Sequence, residues 1–579
     1  MSEPAEGNVV PGTDATGESA AADELDRLAD EMFRRQLSWS PLYASQIGYA
    51  EYAPELPDLS VEGTRRRQAE LANLRDRAAA IDESLLDDER RITVAVLRRK
   101  VADGLLAIEA AASDYTVTPI PQTGAAAQII VSVPHSLVRT KEDARSYLER
   151  CAKVPTLLED AAERLRLGRA AGRRPVRRLV VNAVDQLTAY LSAPLAADPL
   201  LGVPDPDGEA SPAWRDKLAA VIGDEVRPAL AGYRDVLVAE VLPDARPDEQ
   251  PGIAHLPGGT ELYGQLAAGH TTTDHTIDEL HQLGLDLVRE LIEEMRERGE
   301  RVFGTSDLAE ITGRLRTDPA LFFGSSEEVA AAARDALARA EAALPAYIGR
   351  LPRVGCQVVP MGPHEVENGD LGHYQWPALD GSRPGTYWIN TYQPHTRPRF
   401  EAQTLAFHES VPGHHTQIAL QYELSELCDF RRHAHVTAYT EGWALYTERL
   451  ADELGLYTDE VHRLGMVSFD FWRACRLVVD TGLHARGWTR DQAVGYMLDH
   501  SALTHKNIEN EVDRYIGWPG QALGYMVGRL EIRRLRAEAE RELGSGFSIR
   551  DFHDAVLGHG NLPLTVLGEV IERWTSTQI

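Results

Sequence analysis

The chain has 579 residues, more than the roughly 250–300 that one hydrophobic core usually serves, so we expect two lobes or one large multi-lobed body. Hydrophobic residues make up 43% of the chain, an ordinary share for a globular protein that excludes wholesale disorder. The formal net charge of −29 repels nucleic-acid phosphates and anionic membrane surfaces, so we expect neither among the partners.

The chain begins with an acidic stretch rich in Gly, Ser and Thr, residues 1–22, which lacks the apolar segment of a signal peptide. This composition predicts a disordered tail. No uninterrupted apolar run approaches the roughly 20 residues that span a bilayer. The four cysteines lie scattered, without the CxxC spacing of a zinc-thiolate site. We therefore predict a soluble, cytoplasmic protein with free thiols.

Long amphipathic patterns dominate the sequence. Apolar residues recur every three or four positions, the period of an α-helix, in the segments 22–37, 90–112, 141–168 and 276–299. Strand-like alternation is rare, and its best candidates are 127–133, 353–360 and 385–392. The sequence thus predicts a mainly α fold, a large helical body with one small β-sheet.

Proline and glycine cluster at 190–214, 243–252 and 376–385. The first two clusters are typical of surface loops or of a lobe boundary. We place the boundary near residue 250, between a helical N-terminal lobe, 23–250, and a C-terminal lobe, 251–579, that holds the chemistry.

One short segment combines histidines, a glutamate and a helix breaker: AFHESVPGHHTQ, residues 406–417. Zinc peptidases of the HExxH type place two histidines four residues apart on one helical face, with the glutamate beside the metal as a base. Here Pro412 stands four residues after His408, and proline cannot bind a metal. Surface or capping residues at a helix end are the structural alternative, which three histidines and a glutamate in so short a segment make weaker.

The two later histidines could meet His408 only if the backbone is irregular. In a regular helix, His414 is rotated by about 240° from His408, and His415 is displaced by about 10.5 Å along the axis. The proline removes an amide donor, and Gly413 accepts dihedral angles that other residues avoid. We therefore predict a kink, a widened turn or an inserted bulge at 411–413 that brings one of the two imidazoles over His408.

A third metal ligand is expected from a second helix. Gluzincins, which are zinc hydrolases with two histidine ligands and one distant glutamate, take this carboxylate from a helix packed across the first. Glu441 lies 26 residues after His415 and begins an apolar-rich helical pattern, so its carboxylate should enter the core, where a cation is a suitable partner. Glu448 lies on roughly the same face and competes for this role, but its position beside Arg449 favours a solvated side chain.

Asp480 and His484 lie four residues apart in VVDTGLHARGW, residues 478–488, and would share one helical face. A carboxylate commonly fixes the tautomer of a metal-binding histidine, and Asp480 could fill this role. His484 could contact the substrate. A simple Asp–His pair within one helix is the alternative.

Several motifs together resemble the bacterial DUF885 family: HESVPGHHTQ, TEGWALYTERL, VVDTGLHARGWT, RYIGWPGQALGYMVG and DGSRPGTYWINTY. The resemblance runs from about residue 25 to near the C-terminus, and its HExxPGHH signature is specific. The family is similar to gluzincin peptidases related to angiotensin-converting enzyme, neurolysin and the thermostable carboxypeptidases. This implies a helical body with a deep central channel and the metal at its floor.

The resemblance implies one Zn²⁺ ion bound by His408, by either His414 or His415, and by Glu441, with Glu409 as the general base. We choose His414, which follows the Pro-Gly break most closely. Three protein ligands leave an open position for water, as a catalytic zinc site requires. Glu409 would accept a proton from that water and pass it to the leaving amine.

Further residues are expected around the metal. A tyrosine could stabilise the oxyanion, with Tyr525 as the first choice and Tyr515 as the second. Arg514 could hold the C-terminal carboxylate of a peptide by a bidentate contact, or simply pair with Glu511 or Asp513.

The segment 385–392 could be an edge strand at the channel that pairs with a substrate backbone, with Arg383 and Asn390 as polar contacts. An ordinary place in the sheet is equally compatible with its sequence.

The leading hypothesis is a zinc-dependent hydrolase of peptide or peptide-like amide bonds in small or extended substrates. One alternative is a zinc amidohydrolase that acts on a non-peptide metabolite in a biosynthetic pathway. Another is a catalytically silent helical binding protein, although the retained Glu409 argues against it. The sequence does not decide the oligomeric state, for which a homodimer is one option.

Overall fold

The computed structural model of the protein describes residues 15–208, 211–362, 371–378 and 383–579. Within these residues the fold is mainly α, as the periodicity predicted, and the strands form one small sheet. Also within them, no helix is both long enough and apolar enough to cross a membrane.

The first part of the chain is a series of helices joined by short turns. In chain order they are α1 (Ala15–Trp39), α2 (Pro41–Gln46), α3 (Val61–Ala79), α4 (Asp88–Ala110), α5 (Ala125–Ala127), α6 (Lys141–Ala152), α7 (Val154–Ala170), α8 (Arg177–Ser192), α9 (Pro212–Val221) and α10 (Arg227–Val236). Helix α1 begins inside the predicted disordered tail, of which residues 1–14 lie outside the described part of the chain.

The segment 127–133, predicted as a strand, is helical. Helix α5 continues into a π-helical turn, Gln128–Ser132, in which Ile129 is buried. Alternation over seven residues is too short to separate a strand from a buried piece of helix, so the strand prediction was wrong.

The second part of the chain holds longer helices and the sheet. The helices are α11 (Gly259–Thr271), α12 (Ile277–Phe303), α13 (Leu308–Thr317), α14 (Ser326–Ala343), α15 (Ala402–Glu409), α16 (His414–Glu423), α17 (Asp429–Arg432), α18 (Thr437–Glu453), α19 (Glu460–Ala485), α20 (Arg490–His500), α21 (His505–Gly517), α22 (Leu523–Leu543), α23 (Ile549–Leu557) and α24 (Leu564–Gln578).

The sheet has three strands in the order β1 (Cys356–Pro360), β3 (Gly385–Ile389), β2 (Gly372–Gln375). Strand β1 runs parallel to β3, and β2 runs antiparallel to it. Two of the predicted strands are confirmed. Among the described strands β3 is central, so of the two places that the sequence left open for it, the ordinary place in the sheet is observed. The edges are β1 and β2, and the four-residue β2 was too short to show a sequence pattern.

The apolar core consists of two clusters. One is formed mainly by residues 117–241, together with Leu42. The larger cluster combines residues 25–115 with the helices that follow residue 253, so α1, α3 and α4 pack with the C-terminal helices. The core division therefore does not coincide with a single boundary near residue 250.

Close helix packing positions the side chains of the C-terminal part. Helices α18 and α22 approach each other at Gly442 and Gly528, where a Cβ atom on either glycine would overlap the backbone of the other helix. This close contact brings the N-terminal turn of α22 beside the first turns of α18.

Candidate metal centre

The histidine segment is interrupted by non-helical residues, 410–413, between α15 and α16. The backbone leaves helical geometry at Ser410, with φ −109° and ψ −119°, and at Gly413, with φ −76° and ψ −127°. The Val411–Pro412 peptide bond is cis. The predicted irregularity is therefore present, as a complete break between two helices.

Two contacts hold the turn 410–413 in place. A Cβ atom at Gly413 would overlap the carbonyl oxygens of the last turn of α15, so only glycine fits there. The indole Nε1 of Trp443 donates a hydrogen bond to the carbonyl oxygen of Pro412 at 3.0 Å. Trp443 lies on α18 two residues after Glu441, so one helix supplies the carboxylate and also fixes the turn.

The break brings His408, His414 and Glu441 together. One ligand atom from each of these residues lies within 4.8 Å of those from the other two. Glu441 Oε2 is 3.6 Å from the Nε2 atom of each histidine. Donors on a tetrahedral zinc are about 3.3 Å apart, given bond lengths of about 2.0–2.2 Å, so small shifts would place all three on one ion. The three residues predicted as ligands are neighbours in the structure.

His415 points away from this group. Its Nε2 donates to the carbonyl oxygen of Val354 at 3.1 Å, and its Nδ1 accepts from the hydroxyl of Tyr374 at 2.9 Å. Both ring nitrogens are therefore used in contacts with the sheet region, and His414 is the geometric partner of His408.

The carboxylate that orients His408 is Glu448. Its Oε1 accepts a hydrogen bond from His408 Nδ1 at 2.8 Å, which leaves Nε2 directed to Glu441. Glu448 is fully buried, so the prediction of a solvated side chain was wrong. The seven-residue spacing from Glu441 turns both carboxylates of α18 toward the same histidine.

Asp480 does not perform the orienting role predicted for it. Its Oδ1 accepts hydrogen bonds from the Tyr263 hydroxyl at 2.6 Å and from the Gly520 amide at 3.0 Å. Asp480 thus ties α19 to α11 and to the turn before α22, away from His408.

The electrostatics of the three-residue group favour a cation. Burial lowers the pKa of His408, but hydrogen bonds to Glu441 and Glu448 outweigh it and raise the pKa to about 9. Burial raises the pKa of Glu441, but His414 and His408 bring it down to about 2. A buried, ionised carboxylate beside a histidine that retains a proton marks a place of negative potential.

Glu409 follows His408 at the end of α15 and is 9% exposed. Burial raises the pKa of Glu409 to about 7, although the neighbouring His408 opposes the shift. A carboxyl group with a pKa near neutrality can both accept and release a proton, which is what a general base in amide hydrolysis must do.

A cavity of about 790 Å³ opens over this group, and His408, Glu409 and Glu441 line it. Its walls combine the segment 119–122 and α8 with α19, α21 and α22. The cavity is therefore built by residues from both parts of the chain. Its volume is typical of sites that bind small molecules, and a short peptide is a ligand of that size.

The two predicted tyrosines differ in position. Tyr525 lines the cavity, and the charge of Glu441 acts on its hydroxyl. Tyr515 is 1% exposed, and its hydroxyl donates to Glu511 at 2.7 Å while it accepts from Trp472 and Arg476, each at 3.1 Å. The structure brings Tyr525 to the metal centre and uses Tyr515 in the wall behind it.

Arg514 also lines the cavity. It donates to both carboxylate oxygens of Glu511, at 3.2 and 3.0 Å, and to Gln521 Oε1 at 2.7 Å. The pairing with Glu511 that the sequence left open is therefore present, and Asp513 is bound by Arg490.

His484, Asn390 and Arg383 lie outside the residues that line the cavity. His484 is fully buried: its Nδ1 accepts from the Ile253 amide at 3.2 Å, and its Nε2 donates to the Tyr515 carbonyl at 2.9 Å. Asn390 is 1% exposed, and Arg383 donates to the carbonyl oxygen of Trp376 at 2.9 Å. The structure does not bring these three side chains to the metal centre.

Sequence reasoning missed three residues that line the cavity: His435, Arg473 and Arg476. The two arginines lie three residues apart inside the apolar pattern of α19, where a charged residue is unexpected unless it has a buried partner. These charged residues within an apolar helix were the signal from which the sequence could have indicated the two arginines. His435 precedes α18 and had no pattern to indicate it.

The comparisons with known proteins agree with this architecture. A putative lipoprotein from Colwellia psychrerythraea has a crystal structure with a TM-score of 0.87 and 27% sequence identity, over 97% of this chain and 99% of that one. A putative lipoprotein of unknown function from Shewanella oneidensis matches with a TM-score of 0.71 and 19% identity, over 97% and 100% of the two chains, and shows the fold alone. No curated protein matches the sequence.

The family described as "Bacterial protein of unknown function (DUF885)" matches residues 41–571. This range contains the interrupted histidine segment and helix α18, which supplies Glu441 to the three-residue group. The chain belongs to the DUF885 family.

Proposed function

We propose that this protein is a zinc-dependent hydrolase of peptide or peptide-like amide bonds. The observation that carries the proposal is the convergence of His408, His414 and Glu441 at the floor of a cavity that Glu409 also lines. Two imidazoles and one carboxylate form the donor set of catalytic zinc sites, which keep a position open for water.

The residues present fit one zinc ion. Glu448 orients His408 so that its Nε2 faces Glu441, and Nε2 of buried His414 lies 3.6 Å from the same carboxylate oxygen. At this site zinc would supply a water of lowered pKa and would polarise the substrate carbonyl group.

Glu409 is the residue proposed to move the proton. Its carboxylate accepts a proton from the attacking water and then delivers it to the nitrogen of the leaving amine. The pKa of Glu409, which burial raises to about 7, suits both steps. No covalent bond between protein and substrate is required.

Tyr525 is the proposed donor to the oxyanion. Its hydroxyl group lines the cavity near Glu441, where a hydrogen bond to the developing negative charge would stabilise the transition state. Tyr515 is excluded from this role by the contacts that already occupy its hydroxyl.

The test separates metal binding from proton transfer. Glu409→Gln should keep zinc but lose at least about 100-fold in the turnover of a mixture of short peptides, because the proton shuttle is removed. His414→Gln should lose zinc and turnover together, whereas His415→Gln, its matched control, should keep zinc. The measurements are metal content of the purified proteins and peptide cleavage followed by mass spectrometry.

Equal turnover by wild type and Glu409→Gln would reject the assigned base. Zinc retained by His414→Gln but lost by His415→Gln would reject the ligand set. Wild-type protein that binds zinc but cleaves no peptide would instead favour the amidohydrolase of a non-peptide metabolite.

A further inference from the structure

Two arginines share one carboxylate on the cavity wall. Nη2 of Arg476 donates to Oε2 of Glu511 at 3.1 Å, and Arg514 donates to both oxygens of the same residue. The other acidic residue of this wall, Asp513, already receives a hydrogen bond from Arg490 at 2.6 Å. Two guanidinium groups thus share the carboxylate of Glu511.

Arg476 also has unused hydrogen-bond donors. A guanidinium group carries five N–H bonds. In Arg476, Nε donates to the Tyr515 hydroxyl and Nη2 to Glu511, but Nη1 has no partner among the described residues, although the residue is only 3% exposed. A buried donor without an acceptor is costly, so the structure leaves a place for an acceptor that the described residues do not supply.

Aromatic rings hold Arg476 in position next to the metal centre. Its Cζ atom lies 4.6 Å from the ring centroid of Trp472 and 4.2 Å from that of Tyr525. Burial raises the pKa of Tyr525, the charge of Glu441 raises it further, and the charge of Arg476 lowers it. Tyr525 lines the same cavity as His408, Glu409 and Glu441, so the arginine pair and the proposed zinc ligands open onto one cavity.

We propose that Arg476 and Arg514 bind the terminal carboxylate of a short peptide, so that the enzyme removes residues from the C-terminus. This assignment rests on the hydrolase function proposed above. A carboxylate offers two oxygens with about four acceptor positions, which match the free N–H groups of the two arginines. In the reaction, water forms a C–O bond with the scissile carbonyl carbon, the C–N bond breaks, and a proton from water passes to the leaving nitrogen.

Both sites open onto one cavity of about 790 Å³, which limits the length of the bound substrate and therefore which bond is cut. A terminal carboxylate bound at the arginine pair places one of the last peptide bonds of the substrate near Glu409. An internal peptide segment has no charge to offer at this position and would leave the guanidinium donors without an acceptor. The substrate class is therefore short peptides with a free C-terminus.

The experiment measures binding without turnover, in the Glu409→Gln protein loaded with zinc. Calorimetry compares three tripeptides of one apolar sequence: the free acid, the C-terminal amide, and an amide with one glutamate side chain. The free acid should bind about 10- to 100-fold more tightly than the amide, as expected for a charge-assisted contact. Adding Arg476→Gln should remove most of this preference.

Arg246→Gln is the matched control, because it removes another buried arginine that donates to backbone carbonyl oxygens and does not line the cavity. It should leave the preference for the free acid unchanged. Circular dichroism and thermal unfolding verify that each variant is folded, and Arg476→Lys should retain part of the preference because it keeps the charge.

Equal binding of free acid and amide would overturn the proposal. Equal binding of the free acid and the glutamate-containing amide would overturn the assignment to the terminal carboxylate. A preference that Arg476→Gln abolishes supports the carboxylate site even if the wild-type protein cleaves none of the peptides. That combination of results would contradict the proposed hydrolase function and support the carboxylate-binding site.

Discussion

Glu448 holds His408 at Nδ1, so Nε2 of the same ring faces Glu441 in the candidate metal centre. Glu448 accepts from Nδ1 at 2.8 Å, and Glu441 lies 3.6 Å from Nε2. A carboxylate at the first nitrogen fixes the tautomer and makes the second nitrogen a stronger metal ligand. The same α18 helix therefore supplies one proposed ligand and the residue that orients another.

Glu448→Gln is expected to weaken zinc binding by about 10- to 100-fold, since loss of such an orienting carboxylate commonly has this effect. Asp480→Asn is the matched control. Its Oδ1 contacts Tyr263 and Gly520 rather than His408, so zinc affinity should stay within about twofold of wild type. Competition titration with a chromophoric chelator measures both affinities.

The pair of variants separates the structure from the sequence-based prediction. If Asp480→Asn weakened zinc binding as much as Glu448→Gln, Asp480 would act on the metal centre after all. If neither variant changed the affinity, the contact between Glu448 and His408 would have no role in binding.

The break between α15 and α16 is the feature of local structure on which the centre depends. A continuous helix would hold His408 and His414 on different faces. The turn 410–413 instead brings the two imidazole rings to the same side. The turn is stabilised by the fit of Gly413 against α15 and by the hydrogen bond from Trp443. The glycine pair between α18 and α22 has a similar effect on Tyr525, because it allows the two helices to pack at backbone distance.

Gly413→Ala is expected to destabilise the protein by about 1–3 kcal/mol, the usual cost of overpacking a buried site, and to reduce zinc affinity. Gly495→Ala is the matched control: this glycine lies within α20, and a Cβ atom there would meet no atom within 4 Å. It should stabilise the protein by about 0.5–1 kcal/mol, because alanine is the better helix former. Urea unfolding of both variants, with zinc titration, tests the pair.

A Gly413→Ala protein with unchanged stability and zinc affinity would show that the turn has room for a side chain. The close fit against the last turn of α15 would then be unnecessary for the centre.

The whole molecule contains several buried neutral histidines, and this makes its stability depend on pH. Burial lowers the pKa of His270, His433, His484 and His553 to about 4, whereas an exposed histidine titrates near 6.5. Between pH 6.5 and 4 the unfolded chain therefore binds protons that the folded chain does not. These histidines contribute stability that is complete above pH 6.5 and is lost as the pH falls toward 4.

His484→Gln isolates one such contribution. In wild type, Nδ1 of His484 accepts from the Ile253 amide, so protonation would break a buried hydrogen bond. The slope of the unfolding free energy against pH should be smaller in the variant by up to about 1.4 kcal/mol per pH unit, which is the value for one proton. Urea unfolding at pH 7, 6 and 5, followed by tryptophan fluorescence, measures the slope of each protein.

Comparison with wild type is needed because buried acids act in the opposite direction. Burial raises the pKa of Asp480 and of Glu401 to about 7, so both stay protonated in the folded protein where the unfolded chain releases the proton. An unchanged slope in His484→Gln would mean that this histidine is not kept neutral by the fold.

The sequence by itself determined the mainly α fold, because apolar residues repeat with the helical period over long segments. It also determined that the segment 406–417 must be irregular, since Pro412 occupies the position of a ligand and excludes a regular helix. The candidates His408 and Glu409 follow from that local pattern, which depends on neighbouring residues only. Glu441 was indicated by its place at the start of an apolar-rich helical pattern.

Tertiary structure decided what depends on residues distant in the chain. His414 rather than His415 faces Glu441, because the sheet region occupies both nitrogens of His415. Glu448 rather than Asp480 orients His408, and Arg476 joins Arg514 at the cavity, because α18 and α19 pack against α15 and α21 packs against α19. A sequence pattern gives the face of a helix that is buried, but which side chains meet across that face depends on how the helices pack.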